Sequence, residues 1–163
     1  ADALILGRDR RLCDFFEEAA AWCIDARRLC TWIVKDLFKL MNTGAIDMES
    51  SPIDPEHFGR LVTLVAEGAL TELLARGVLE EMCATGESPD RIIDRRGLRS
   101  IQDDDELEAA VREVMESNPE AVKDAREGKK QSVNFLIGRV MRKTGGRAQP
   151  RKVSELVSRQ IGK

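Results

Sequence analysis

Helix-start and helix-stop chemistry punctuates this sequence at short intervals and leaves room for little except short helices. Asp54-Pro55, Ser88-Pro89 and Asn118-Pro119 each put a side chain able to cap a first turn directly before a proline. The capping oxygen takes a free N–H of that turn, and proline is tolerated where its missing donor would have had no partner. Gly44, Gly68, Gly86, Gly97, Gly128 and the pair Gly145-Gly146 each follow an apolar run, where a left-handed residue closes the last turn. Between these signals the apolar spacing is helical. Leu12, Phe16, Ala19 and Cys23 make one face; Leu29, Ile33, Leu37, Leu40 and Met41 a second; Leu61, Val62 and Val65 a third. Residues 103–115 open with Asp103 and Glu106 in capping-box positions, then align Leu107, Val111, Val114 and Met115. In the tail, Val133, Leu136, Ile137, Val140 and Met141 form one stripe, and Val153, Leu156, Val157 and Ile161 another behind Pro150.

No window alternates apolar and polar residues while avoiding helix formers, so no β-sheet is expected. The predicted fold is all-α, an N-terminal helical bundle followed by a small C-terminal multi-helix tail domain. The boundary is placed between Gly68 and Gly86, giving an acidic bundle over 1–80 and a tail with a basic helical hairpin over 81–163. Residues 71–82 are read as helix although Gly77 interrupts them at about 1 kcal/mol relative to alanine.

Little in the chain suggests chemistry. Its 163 residues suit one domain or two small ones. No apolar run approaches the roughly 20 residues of a membrane span. The opening Ala1-Asp2-Ala3-Leu4 has no basic leader, so a cytoplasmic address is expected, with no membrane partner. The start without Met suits a piece of something longer. Cys13, Cys23, Cys30 and Cys83 lack paired spacing and read as small buried hydrophobes rather than zinc ligands. His57 has no nucleophile or carboxylate placed to join it. The run Asp103-Asp104-Asp105-Glu106 lacks the glycine turn and distal Glu of a calcium loop, and a helix N-terminus explains it. Glu17-Glu18 and Glu80-Glu81 are adjacent on helices and point apart. No phosphate-cradling glycine loop is present. The chain is therefore expected to hold no catalytic, metal or cofactor site and to be no enzyme by itself.

Charge is distributed very unevenly. Residues 1–122 carry 14 Lys or Arg against 26 Asp or Glu, a net −12, whereas residues 123–163 carry 12 against 3, a net +9. Lys129, Lys130, Arg139, Arg142, Lys143, Arg147, Arg151 and Lys152 crowd the two tail helices and the turn Thr144-Gly145-Gly146-Arg147-Ala148-Gln149-Pro150. Glycines there would let backbone N–H groups approach an anion, and Pro150 opens a helix whose N-terminus attracts phosphate. A basic solvated face on an ordinary hairpin is the competing account; the charge excess favours nucleic acid. Phe135, the one aromatic of the tail, suits either a core or a stacking role, so phosphates rather than splayed bases are expected to dominate.

Ordered segments carry a family resemblance: Asp14-Phe15-Phe16-Glu17-Glu18-Ala19, Ser51-Pro52-Ile53, Val78-Leu79-Glu80-Glu81-Met82 with Thr85-Gly86 and Ser88-Pro89, and Arg96-Gly97-Leu98 with Ile101. Asn118-Pro119-Glu120, Gly128-Lys129, residues 135–141 and Pro150-Arg151-Lys152-Val153 with Glu155-Leu156 continue it. Over nearly its whole length the chain resembles the C-terminal region of the GatB component of glutamyl-tRNA(Gln) and aspartyl-tRNA(Asn) amidotransferases, the GatB/YqeY domain. That resemblance implies an ATP-dependent complex, a carbon–nitrogen ligase, that amidates misacylated tRNA with ammonia from glutamine. It implies further that ATP and Mg belong to an N-terminal portion of the GatB component outside this chain. The partners implied are tRNA and the other amidotransferase subunits, with Arg139, Arg142, Lys143, Arg147, Arg151 and Lys152 as the tRNA contacts, to which the charge reading adds Lys129 and Lys130. The family's Ser-Gly-Lys step after Gly68 is replaced by Ala69-Leu70-Thr71, whereas its Lys-rich turn is replaced by residues 142–147 with charge kept. Two other readings stand beside it: an interaction scaffold without direct RNA binding, and a free-standing YqeY-like protein.

Overall fold

In the computed structural model, which describes residues 10–44, 47, 50 and 52–162, the caps and glycines delimit a series of short helices. The opening Ala1-Asp2-Ala3-Leu4 and Ser51 lie outside the described residues. The chain divides into two compact units, Ala1–Arg99 and Ser100–Lys163. The first contains α1 (Arg10–Ala20), α2 (Ala26–Trp32), a π-helical turn (Ile33–Leu37) leading into α3 (Phe38–Asn42), α4 (Pro55–Ala66), α5 (Glu72–Thr85) and α6 (Pro89–Arg96). The second contains α7 (Asp104–Glu116), α8 (Pro119–Arg126), α9 (Lys130–Lys143) and α10 (Pro150–Ile161). The fold is all-α, with no strand among the described residues. None of these helices is long and apolar enough to cross a membrane.

The glycines expected to stop helices, Gly44, Gly68, Gly86, Gly97, Gly128, Gly145 and Gly146, all have positive φ. The prolines open helices as expected, but their caps differ. Asp54 accepts from the Glu56 N–H at 2.7 Å, whereas Ser88 and Asn118 make no side-chain cap. Asn118 turns back instead, its amide donating to the Val114 carbonyl at 2.7 Å and so satisfying the C-terminal end of α7. Asp103 caps α7 by accepting from the N–H groups of Asp105 and Glu106, yet the Glu106 carboxylate leaves the capping box and lies 3.6 Å from Arg147.

The first unit is built on α4, which buries Phe58, Leu61, Val62, Leu64 and Val65. Phe58 meets Phe15 of α1 edge-on at 5.4 Å between ring centroids. Phe15 rather than Phe16 thus takes the core position, Phe16 packing at its margin. Buried Thr63 ties down the turn after α1: its hydroxyl donates to the Trp22 carbonyl at 3.2 Å and accepts from the Ile24 N–H at 3.3 Å. Cys83 is buried and Cys13, Cys23 and Cys30 are half-buried. Burial, with Glu80 nearby, pushes the Cys83 thiol up to about 11.

The division between units falls at Arg99 and Ser100 rather than between Gly68 and Gly86. Helix α5 runs unbroken through Gly77 and buries Ala75, Val78, Leu79, Met82 and Cys83, and α6 adds Ile92 and Ile93 to the same core. Residues 81–99 therefore pack with the bundle, since the burial of that continuous apolar face outweighs about 1 kcal/mol for one helical glycine.

In the second unit Leu107, Val111 and Val114 of α7, Ala125 of α8, Leu136 and Val140 of α9, and Val153 and Val157 of α10 share one core with Ile101 and Ala148. Gly145 and Gly146 end α9 with paired bonds, the Gly145 N–H donating to Arg142 O at 3.1 Å and the Gly146 N–H to Met141 O at 2.9 Å.

The backbones of α1 and α4 approach closely at Gly59, where an added Cβ would sit 2.4 Å from the Ala19 carbonyl oxygen and 3.0 Å from the Trp22 Cβ. Gly59→Ala is expected to cost about 2 kcal/mol through this overpacking. A urea midpoint unchanged from the wild type would show that α1 and α4 do not pack this closely.

Candidate nucleic-acid interface

Helix α9 spans about 20 Å at 1.5 Å per residue, so its two ends are separate places. Lys129 and Lys130 lie at its start, and Arg139, Arg142 and Lys143 occupy its last turns. The eight tail cations consequently form no single patch. Lys129 is held by Asp124 at 2.6 Å, with Glu127 at 3.5 Å, and the bond to Asp124 raises its pKa. Arg151 pairs along α10 with Glu155 at 3.0 Å.

Helix α7 supplies most of the remaining partners. Asp104 receives Lys152 at 2.9 Å, Glu106 lies by Arg147 at 3.6 Å, and Glu113 receives Lys143 at 2.5 Å. Glu108 is bonded by Arg159. The counter-ions come from within the tail's own unit, and they lower its excess sharply: Ser100–Lys163 holds 13 Lys or Arg against 11 Asp or Glu, a net +2. The glycine turn also differs from expectation. The N–H groups of Gly145, Gly146 and Arg147 all donate to carbonyls of α9 or of the turn itself, at 2.9 to 3.1 Å, and are unavailable to an anion.

Of the eight cations, Lys130, Arg139 and Arg142 form no ion pair among the described residues. Arg139 and Arg142 lie one turn apart and, with Lys143, line a cleft of about 260 Å³ against Glu113, Val114, Ser117 and Asn118. The cleft floor follows from local structure. Ser117 and Asn118 link α7 to α8, and the Ser117 hydroxyl donates to Glu113 O at 2.8 Å. Two guanidiniums beside hydroxyl and amide groups can hold the non-bridging oxygens of a phosphodiester in fork geometry. Arg142 and Lys143 also suit the negative end of the α9 dipole, so the local helix tolerates the charge.

Sequence reasoning did not single out Arg112, Lys123 and Arg126, which line a second, wider cleft with Met115, Val122 and Gln160. Their charge was visible, but nothing in the spacing distinguished them from a solvated face. Phe135 resolves an open alternative, since it stands exposed on α9 rather than in the core. His57 makes no side-chain hydrogen bond or ion pair among the described residues, and no cluster of three potential metal ligands occurs among them.

The sequence is similar to known proteins over nearly its whole length. A family profile described as the GatB domain matches residues 14–161. The chain is 35% identical over 162 residues to a protein of Carboxydothermus hydrogenoformans named as the B subunit of aspartyl/glutamyl-tRNA(Asn/Gln) amidotransferase, covering 99% of this chain and 34% of the relative. Proteins of the same name from Rickettsia canadensis and Leptospira biflexa are 33% and 34% identical, each over 161 residues, covering 99% of this chain and 33% of the relative. The chain thus spans about a third of the length of these relatives.

Exposed ion pairs are worth roughly 0–1 kcal/mol, so the carboxylates of α7 compete with an incoming anion without strongly stabilising the fold. Glu106→Gln with Glu113→Gln is expected to raise affinity for a polyanion such as tRNA several-fold at moderate salt and to leave the unfolding midpoint nearly unchanged. Equal binding by the variant and the wild type would show that neither Arg147 nor Lys143 is near the bound anion.

Proposed function

Since the chain belongs to the GatB domain family, we propose that it is the tRNA-binding region of the B subunit of a tRNA-dependent amidotransferase. On this reading it holds misacylated tRNA for a reaction carried out elsewhere in the complex, and the carbon–nitrogen ligase chemistry, with its ATP and Mg, belongs to other parts of the subunit. The observation that carries the proposal is the pair Arg139 and Arg142, free of ion pairs among the described residues and set beside Ser117 and Asn118 in one cleft. Lys143, Arg147, Arg151 and Lys152 join the contact by exchanging weak surface pairs for phosphates, with Lys129 and Lys130 reaching the backbone further along. Helical surfaces of this kind grip RNA through shape and phosphate contacts, which suits a folded RNA better than a single strand.

The first unit has a different role. Its 13 Lys or Arg against 18 Asp or Glu, a net −5, disfavour a polyanion. Trp22, Ile24 and Leu73 are exposed on it at 54%, 68% and 61%. Large exposed apolar groups on an acidic surface suit contact with protein, here the other parts of an amidotransferase assembly.

A filter-binding titration of the chain with tRNA at several salt concentrations tests the central claim. Affinity should fall steeply with salt, and Arg139→Gln with Arg142→Gln should lower the magnitude of the log–log slope by about 2, one for each phosphate contact removed. Absence of tRNA binding at any ionic strength would leave the scaffold reading in its place.

A further inference from the structure

One glycine in the second unit has no internal explanation. Gly138 lies in the middle of α9 and is exposed; an added Cβ there would meet nothing within 4 Å. Its φ is not positive, so the backbone conformation is open to any residue. A helix-interior glycine weakens its helix relative to alanine. No packing requirement in the unit offsets that weakness, so the reason for Gly138 must lie outside the unit.

Its neighbours show what that reason is. Helical side chains lean back toward the N-terminus and cover the preceding turn, so a side chain at 138 would lie over residues 134 and 135. Glycine at 138 adds no cover to Phe135, which is 49% exposed while the other apolar residues of α9 pack into the core. Arg139 and Arg142 share this face at helical spacing, and both are without ion pairs among the described residues. A half-exposed aromatic side chain, left open on the Gly138 side, with two cations beside it that make no ion pair among the described residues, matches a ligand with ring faces and an anionic backbone. We propose that Phe135 and Gly138 form a stacking platform for a nucleobase exposed on the folded RNA, with Arg139 and Arg142 taking the adjoining phosphates.

This deepens the tRNA-binding reading and rests on it. Charge separates an RNA from a protein as the occupant. On α5, Leu73 is exposed one turn before Gly77, a similar arrangement, but there Arg76 is committed to Asp36 at 2.9 Å and to Glu72 at 3.7 Å. The α5 face has a bare apolar group without free cations, while the α9 face has both, and only the latter complements a polyanion.

The test compares wild type, Phe135→Ala, Phe135→Leu, Phe135→Trp and Gly138→Leu in the 163-residue chain, using unfractionated tRNA and inorganic polyphosphate as a polyanion without bases. Stacking on an aromatic residue is typically worth about 1–3 kcal/mol per base, so Phe135→Ala should weaken tRNA binding at least about fivefold at fixed salt, with the salt slope unchanged. Leucine should weaken it comparably and tryptophan should preserve it. Gly138→Leu should weaken tRNA binding while raising the melting midpoint by a few degrees, which separates loss of the platform from loss of the fold. Polyphosphate binding should be unaffected throughout. Wild-type tRNA affinity in Phe135→Ala and Gly138→Leu, or an equal loss for polyphosphate, would overturn the platform. If Arg139→Gln with Arg142→Gln still lowers tRNA affinity in that case, the broader reading survives; if the wild type binds no tRNA, both fall.

Discussion

Helix α7 is the element on which the second unit depends, because it is both part of the core and the counter-ion of the tail. Its apolar side places Leu107, Val111 and Val114 against α9 and α10, while its carboxylates at Asp104, Glu106, Glu108 and Glu113 meet Lys152, Arg147, Arg159 and Lys143. Each exposed pair is individually weak. Together they offset the self-repulsion of a segment with 12 cations and 3 carboxylates, which would otherwise oppose bringing α9 and α10 together. The acidic residues at the start of α7 are favoured by its own dipole as well, so one set of carboxylates serves two electrostatic needs.

This neutralisation determines which part of the unit remains attractive to an anion. Charge counted along the chain suggests a uniformly basic hairpin, whereas charge counted by unit leaves an excess of only two. What remains available is local: the last turns of α9, where Arg139 and Arg142 meet the α7 to α8 link at Ser117 and Asn118. The surface is therefore selected by two guanidiniums left without an ion pair among the described residues, Glu113 of the same cleft being taken by Lys143, more than by the density of lysine and arginine.

The helical plan was legible because it follows from short-range chemistry. Pro55, Pro89, Pro119 and Pro150 open helices and the glycines after them close helices, for reasons confined to a few consecutive residues. The apolar stripes of α7, α9 and α10 likewise became the core of their unit. What was not legible depends on groups far apart in sequence. Glu113 and Lys143 are separated by 30 positions, and Asp104 and Lys152 by 48, so no local pattern announces that they cancel. The unit boundary at Arg99 and Ser100 differs from the expected one for a related reason: residues 75–83 are held by a core whose other members, from α1, α2, α4 and α6, are mostly distant in sequence. The glycine turn was misread in detail, since closing α9 and leaving N–H groups free for a ligand are competing uses of the same donors, and the helix end takes them.

Glycines of two kinds can now be separated by what surrounds them. Gly59 is required by the close crossing of α1 and α4, and Gly145 and Gly146 by the left-handed end of α9. Gly138 answers to neither constraint. A residue that breaks a local rule without any internal gain directs attention to what the surface does, because natural sequences concentrate such inconsistencies at functional positions. A unit with little net charge attracts RNA weakly at long range, so on the proposed reading discrimination falls to short-range fit. Two guanidiniums fix the position of a phosphate, a half-exposed ring fixes the orientation of a base, and the remaining cations of the hairpin add contact only where a phosphate displaces an α7 carboxylate.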